Sequence, residues 1–196
     1  MRLPNTAFTE RPWRIHEFIK DFEIEDVWDL DTPGGPGDLA LLVQQFDSDG
    51  ADFKPSPMYK LLFAIRWRLG AILKWDEEKH GLGPRNPSLR DRLPDDLRDG
   101  PRGPDLKVVP MKSVYQSSDE WVTEVVNKTV HAAMHIGWVD DGNGRYHAQM
   151  AVLVKKKGTL GKVYMPLILP FRRIFVTPSL VKAIGRSWRT RTRPTA

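Results

Sequence analysis

Apolar and polar residues alternate through WVTEVV (121–126), VHAAMHIGWV (130–139) and RYHAQMAVLV (145–154), and the last two runs are separated by Asp140-Asp141-Gly142-Asn143-Gly144. A period of two marks strands, and a cluster of residues that tolerate positive φ marks a hairpin between them. Placing Val139 opposite Arg145 pairs Trp138 with Tyr146, Ile136 with Ala148, Met134 with Met150, Ala132 with Val152 and Val130 with Val154, so one face is apolar throughout. A two-residue turn at Asn127-Lys128 sets Trp121 opposite Met134, Thr123 opposite Ala132 and Val125 opposite Val130, extending that face. On the other face Glu120 falls opposite His135 and Glu124 opposite His131, with Gln149 beyond His135 and His147 on the diagonal.

The remaining segments arrange themselves around this meander. Residues 20–30 alternate through Phe22, Ile24 and Val27 and predict a first strand, preceded by a helical turn or strand from Trp13 and by a loose arm over 1–11. Residues 31–38 form a turn-rich linker whose Asp38 caps a helix over 39–46. Pro55-Ser56-Pro57 opens a second helix over 58–76, with Met58, Leu61, Leu62, Ile65, Leu69, Ile72 and Leu73 on one stripe. Residues 77–105, rich in Pro, Gly, Arg and Asp, read as a long solvated loop. A strand over 108–116 turns at Ser117-Ser118-Asp119, which puts Tyr115 opposite Trp121 and Met111 opposite Val125 on the apolar face, and Lys112 beside Glu124. After Gly158-Thr159 a helix with Tyr164, Leu167, Ile168, Phe171, Ile174 and Phe175 on one stripe closes the apolar face, bent by Pro166 and Pro170. A shorter helix restarts at Thr177-Pro178 through Leu180, Val181, Ile184 and Trp188, and 189–196 is a basic tail. The expected fold class is α+β: a curved antiparallel sheet packed on a long, Pro-bent C-terminal helix, with a helical insertion near 38–76.

With 196 residues and 40% hydrophobic content, the chain supports one core and so a single domain over 1–196. It has no cysteine, which removes disulfides, thiolate catalysis and cysteine zinc sites. No run has signal-peptide character or approaches the ~20 apolar residues of a membrane span, so a soluble, cytoplasmic protein is expected. The net charge of +5 divides unevenly: residues 1–55 carry 5 Lys/Arg against 12 Asp/Glu, and residues 56–196 carry 25 against 13. Such a dipole either steers an anionic partner or draws the two parts together. Dinucleotide-binding fingerprints, Walker loops, nucleophile elbows and HExxH motifs are absent from the sequence.

A meander closed on its apolar face by a C-terminal helix is the layout of the START-like (SRPBCC, helix-grip) superfamily, which includes the birch-pollen allergen. The run NKTVHAAMHIGWVDDGNGRYHAQMAVLVKKKGTLGKVYMPLILPFRRIFV, preceded by YQSSDEWVTEVV, resembles an uncharacterised bacterial domain family within it. The resemblance is close over 115–176 and looser over 13–184. It implies a pocket between sheet and helix for a hydrophobic small molecule such as a lipid, sterol or polyketide, and in some members cofactor-free cyclase or dehydratase chemistry. It carries no catalytic residues over.

Tyr115, Trp121, Met134, Trp138, Tyr146 and Met150, with Tyr164 facing them from the helix, suit an apolar ligand carrying a few oxygens, and they suit a plain core as well. Glu120, Glu124, His131 and His135 are the acid–base candidates, since a carboxylate that orients an imidazole makes a general base near neutral pH. On a convex face the same residues form a solvated charge ladder. His131, His135 and His147 share a patch, but their strand spacing matches no metal signature, and neither metal nor cofactor is expected. The primary reading is a binder of a hydrophobic, oxygenated small molecule, turned over, if at all, by cofactor-free cyclisation, dehydration or isomerisation. The alternatives are a peripheral membrane or lipid-handling module using the 58–76 helix and the tail arginines Arg186, Arg189, Arg191 and Arg193, and a partner-binding domain that buries the helix stripe at a homodimer or other partner interface. No specific nucleic-acid partner is expected.

Overall fold

The computed structural model describes residues 1–47, 87–106, 111–126, 130–157 and 177–191. Among them, six strands form one antiparallel sheet: β1 (Arg2–Leu3), β2 (Glu23–Asp29), β3 (Lys112–Gln116), β4 (Glu120–Val126), β5 (Val130–Gly142) and β6 (Arg145–Lys156), in the spatial order β1-β2-β6-β5-β4-β3. The helices are α1 (Thr6–Thr9), α2 (Leu39–Asp47), α3 (Asp95–Arg98) and α4 (Thr177–Thr190), with 3-10 turns at Arg14–Glu17 and Leu89–Arg92. The class is α+β, an open curved antiparallel sheet with a C-terminal helix. The expected helix over 58–76 and the Pro-bent helix with Tyr164, Pro166 and Pro170 lie outside the described residues, as do Val109 and the end of the basic tail.

The hairpin between β5 and β6 is tighter than its sequence suggests. Gly142 pairs with Arg145, leaving Asn143 and Gly144 as a two-residue turn with φ of 56° and 72°. Positive φ at both positions is the type I′ geometry, whose twist matches that of the flanking strands. β5 therefore runs three residues further than expected, to Gly142, with a bulge between Asp140 and Gly142, and the register moves by two: Trp138 pairs with Ala148, Ile136 with Met150 and Met134 with Val152. The β4–β5 register is displaced by two as well: Trp121 pairs with Ile136 and Thr123 with Met134. A shift of two changes every partner and leaves every side chain on its expected face.

A shift of one does the opposite, and in β3 it moves a candidate ligand residue. Ser113 pairs with Thr123 but Tyr115 pairs with Val122, so a bulge at Val114 turns Tyr115 away from the apolar face. Tyr115, expected opposite Trp121, belongs to the Glu/His face and packs among Val114, Val122 and Phe18. Lys112 does pair with Glu124 along the backbone, but its amine reaches Asp105, at 2.9 Å.

Both faces of the sheet are covered. On the apolar face Trp28, Trp121, Ile136 and Met150 pack with Leu39 and Leu42 of α2 and with Val181, Ile184 and Trp188 of α4. The Glu/His face is buried under two segments: residues 8–19, read from sequence as the end of a loose arm and a helical turn or strand after it, and part of the stretch read as a solvated loop. The first supplies Phe8, Trp13, Ile15, Phe18 and Ile19, and the second supplies Leu89, Leu93 and Leu97. Residues 1–11 are correspondingly ordered, with β1 paired to the outer edge of β2 and Phe8 fully buried. The convex charge ladder is replaced by a second core.

Candidate functional site

The two Glu–His pairs form, each across one diagonal of the β4–β5 ladder. His135 Nε2 lies 3.1 Å from Glu120 Oε2, and His131 Nε2 lies 2.7 Å from Glu124 Oε2. All four side chains are buried. Each carboxylate also receives backbone N–H groups from the start of a 3-10 turn in the segment above it. Glu120 accepts from Arg14 N at 2.6 Å and Ile15 N at 3.3 Å, and from the Tyr115 hydroxyl at 2.7 Å. Glu124 accepts from Leu89 N at 2.9 Å and from the Ser88 hydroxyl. The first N–H groups of a helical turn have no partner within the turn, so a sheet carboxylate supplies the cap that a local side chain ordinarily provides. The Leu89 turn is reinforced by a capping box between Ser88 and Asp91.

The electrostatics follow from this bonding. Burial pushes the Glu120 carboxyl upward, but the His135 bond and charge, the Tyr115 hydroxyl and the Arg14 N–H outweigh it and leave the group below its ordinary value of 4.5. Glu124 is lowered in the same way by His131, Ser88 and Leu89 against the cost of burial. Burial, followed by the Glu120 charge, raises the Tyr115 phenol far above its ordinary range. Around the pairs the rings are aromatic: Phe8 and Trp13 lie 5.2 and 5.1 Å from His135, and Phe22 lies 5.0 Å from His131. His135 Nδ1 is buried without a hydrogen-bond partner among the described residues. Glu120, Glu124, His131 and His135 thus come together as the sequence predicts, and in this arrangement they hold two covering segments to the sheet.

The candidate ligand residues separate into three groups. Trp121, Met134, Trp138 and Met150 remain on the apolar face, all buried. Their polar tips are occupied: Trp121 Nε1 donates to Ser113 Oγ at 2.8 Å and Trp138 Nε1 to Gly35 O at 2.9 Å. Tyr115 lies on the opposite face, bonded to Glu120, and Tyr164 is outside the described residues. Tyr146 lines an open cleft of about 1040 Å³ at the hairpin end of the sheet.

That cleft lies between the N-terminal segment, residues 29–34 and the start of β6. Its shape depends on residues 31–34 lying against β6. Gly34 and Tyr146 exchange backbone hydrogen bonds at 2.9 Å, and the Ala148 N–H donates to the buried Thr32 hydroxyl at 2.9 Å. Gly34 is needed there, since a Cβ would lie 2.7 Å from the Trp138 ring. Leu3, Ala7, Pro12, Leu30 and Pro33 give the cleft an apolar part, while Asp29, Asp141, His147 and Gln149 line its polar side. His147 is flanked by carboxylates, with Nδ1 2.7 Å from Asp141 and Nε2 3.3 Å from Asp29. Gln149 is 2% exposed, and its Oε1 has no hydrogen-bond partner among the described residues.

Gln149 and His147 were placed on the Glu/His face by the strand alternation, but the cleft was missed. Its other walls come from the arm and linker, whose sequence carries no periodicity to place them. Among the described residues no group of three or more His, Asp or Glu side chains is disposed to hold a metal ion, and no helix is long and apolar enough to cross a membrane. No curated protein and no solved structure matches the chain. Residues 18–179 match the family described as "Protein of unknown function (DUF2867)", and the chain belongs to that family.

Proposed function

We propose that this protein is a START-like binding domain for a hydrophobic, oxygenated small molecule, and that the ligand occupies the cleft at the hairpin end of the sheet. Two features support the START-like part of the reading. The opening long strand β2 pairs with the last strand β6 while β3 to β6 meander, and α4 packs on the apolar face. The cleft carries the binding part: about 1040 Å³ with an apolar part at Leu3, Ala7 and Leu30 and hydrogen-bonding groups opposite. That is the size and mixed lining of a small-molecule site. The buried Glu–His pairs have their carboxylates engaged by backbone and hydroxyl donors, so the reading is one of binding, without assigned turnover.

The test is native mass spectrometry of the purified protein, followed by extraction of whatever co-purifies and its re-addition to the stripped protein. A bound metabolite of mixed apolar and hydroxylated character, shifting the amide resonances of Ala7, Leu30 and Thr32 on re-addition, is the expected result. An empty protein whose cleft amides do not respond to hydroxylated apolar compounds overturns the reading.

A further inference from the structure

Gln149 sits where a polar side chain is hard to explain by packing alone. It lies on β6 paired with Gly137, between the second core and the cleft, and is almost fully buried. Its Oε1 is an acceptor shut away from solvent with no donor supplied by the described residues, although the side chain lines the cleft. A buried acceptor left unsatisfied costs about 1–3 kcal/mol, and a ligand that brings a donor recovers that cost on binding.

The surroundings of Gln149 have the same preference. Glu10, Asp29, Asp31 and Asp141 line the cleft with carboxylates, against the guanidiniums of Arg11 and Arg145. His147, between Asp29 and Asp141, takes up part of this acceptor capacity, and Arg189 from α4 pairs with Asp31. The balance still favours groups that donate hydrogen bonds or carry positive charge over groups that accept or carry negative charge.

We propose that the cleft recognises its ligand through a hydrogen-bond donor, a hydroxyl or a protonated amine, which Gln149 Oε1 accepts from beneath and Asp29 stabilises from the rim, and that it rejects the corresponding carboxylate. The inference rests on the cleft being the binding site, and it names the chemical class of the group recognised there. The apolar part of the ligand lies toward Leu3, Ala7 and Leu30, so a molecule with one donor-bearing end and one hydrocarbon end fits the two halves of the lining.

Three probes of one hydrocarbon frame separate these claims: 2-phenylethanol, phenethylammonium and phenylacetate, titrated into the full chain with amide and side-chain resonances observed. The alcohol and the ammonium are expected to bind about ten-fold more tightly than the carboxylate, the ratio that recovering ~1.4 kcal/mol gives, with shifts at the Gln149 side-chain amide. Gln149→Met keeps the length of the side chain and removes the acceptor, and should bring the three affinities within about two-fold while binding of the phenyl frame persists. Asp29→Asn, at a partly exposed position, provides a second variant and should lower the preference for ammonium over alcohol. Binding of all three probes at the cleft without donor preference, or a preference unchanged in both variants, overturns the inference and leaves the binding site standing. Absence of any probe binding at the cleft overturns the binding reading as well.

Discussion

The Glu120 carboxylate accepts the backbone N–H of Arg14, 106 residues earlier in the chain, at 2.6 Å. A single β4 side chain therefore fixes where the N-terminal segment crosses the sheet. Replacing it with an amide of the same shape places an NH₂ group among donors from Arg14, Ile15, Tyr115 and His135. Glu120→Gln is expected to lower unfolding stability by on the order of 3 kcal/mol, the scale for breaking a buried charged contact. Urea denaturation measures the loss, and hydrogen exchange should show the Arg14 and Ile15 amides losing protection beyond the global change.

Glu124 makes the same kind of contact with the 88–92 segment and shares no partner with Glu120. The two residues stand four apart on one strand, about 13 Å along it. Glu124→Gln should therefore expose the Leu89 amide and leave Arg14 protected relative to global unfolding, and the double variant should lose the sum of the single losses to within about 0.5 kcal/mol. A marked shortfall from additivity would mean that the two covering segments come away together.

Both carboxyls hold protons less tightly when folded than in the unfolded chain, where Glu titrates near 4.5. The unfolded state then binds more protons below that pH, so this contribution is complete above about 4.5 and disappears as the pH falls through the lower folded values. Asp21, raised by burial but held at about 2 by Arg92 and Lys155, extends the loss toward pH 2. Denaturation midpoints between pH 7 and pH 2.5 should fall on the acid side of 4.5, with a shallower fall in the Glu120→Gln, Glu124→Gln double variant. An unchanged slope in that variant would assign the acid sensitivity to other groups.

Gly137 is occupied on its open side by the Trp13 ring. A Cβ at this position would lie 2.7 Å from Trp13 Cζ2 and 2.8 Å from His135 Cε1. Both rings are buried, so Gly137→Ala should displace Trp13 at a cost of about 1–3 kcal/mol, the range for overpacking a filled core. A lowered melting temperature with a shifted Trp13 indole resonance is the expected pair of observations. A stable variant with that resonance unmoved would contradict the packing.

What the sequence made legible was the assignment of residues to faces. Alternation survives any even displacement, so Trp121, Ile136, Trp138 and Met150 ended on one side and Glu120, Glu124, His131 and His135 on the other despite a register two residues away. Tyr115 was misplaced because a bulge at Val114 has no signal in an alternating run. The cover over the Glu/His face was missed for a different reason. Leu89, Leu93 and Leu97 recur every four residues, a periodicity obscured by the Arg, Asp and Pro around them. Phe8, Trp13, Ile15, Phe18 and Ile19 bury themselves with only one short helix and a 3-10 turn, so no regular period marks them. The cleft needed the arm and the 31–34 linker in place before its walls existed.

Strands β3 to β6 are neighbours both along the chain and across the sheet, so they close through short turns. Pairing β2 with β6 requires closing a loop many times longer, which costs more loop entropy than the turns of the meander. Until it happens, Glu120 lacks the Arg14 and Ile15 donors of the N-terminal segment and β6 presents a bare edge to other chains. Translation delivers these two strands far apart: residues 23–29 leave the ribosome long before 145–156 are made. The β2 strand must wait for its partner β6, so the outermost part of the sheet is among the first pieces made and depends on one of the last.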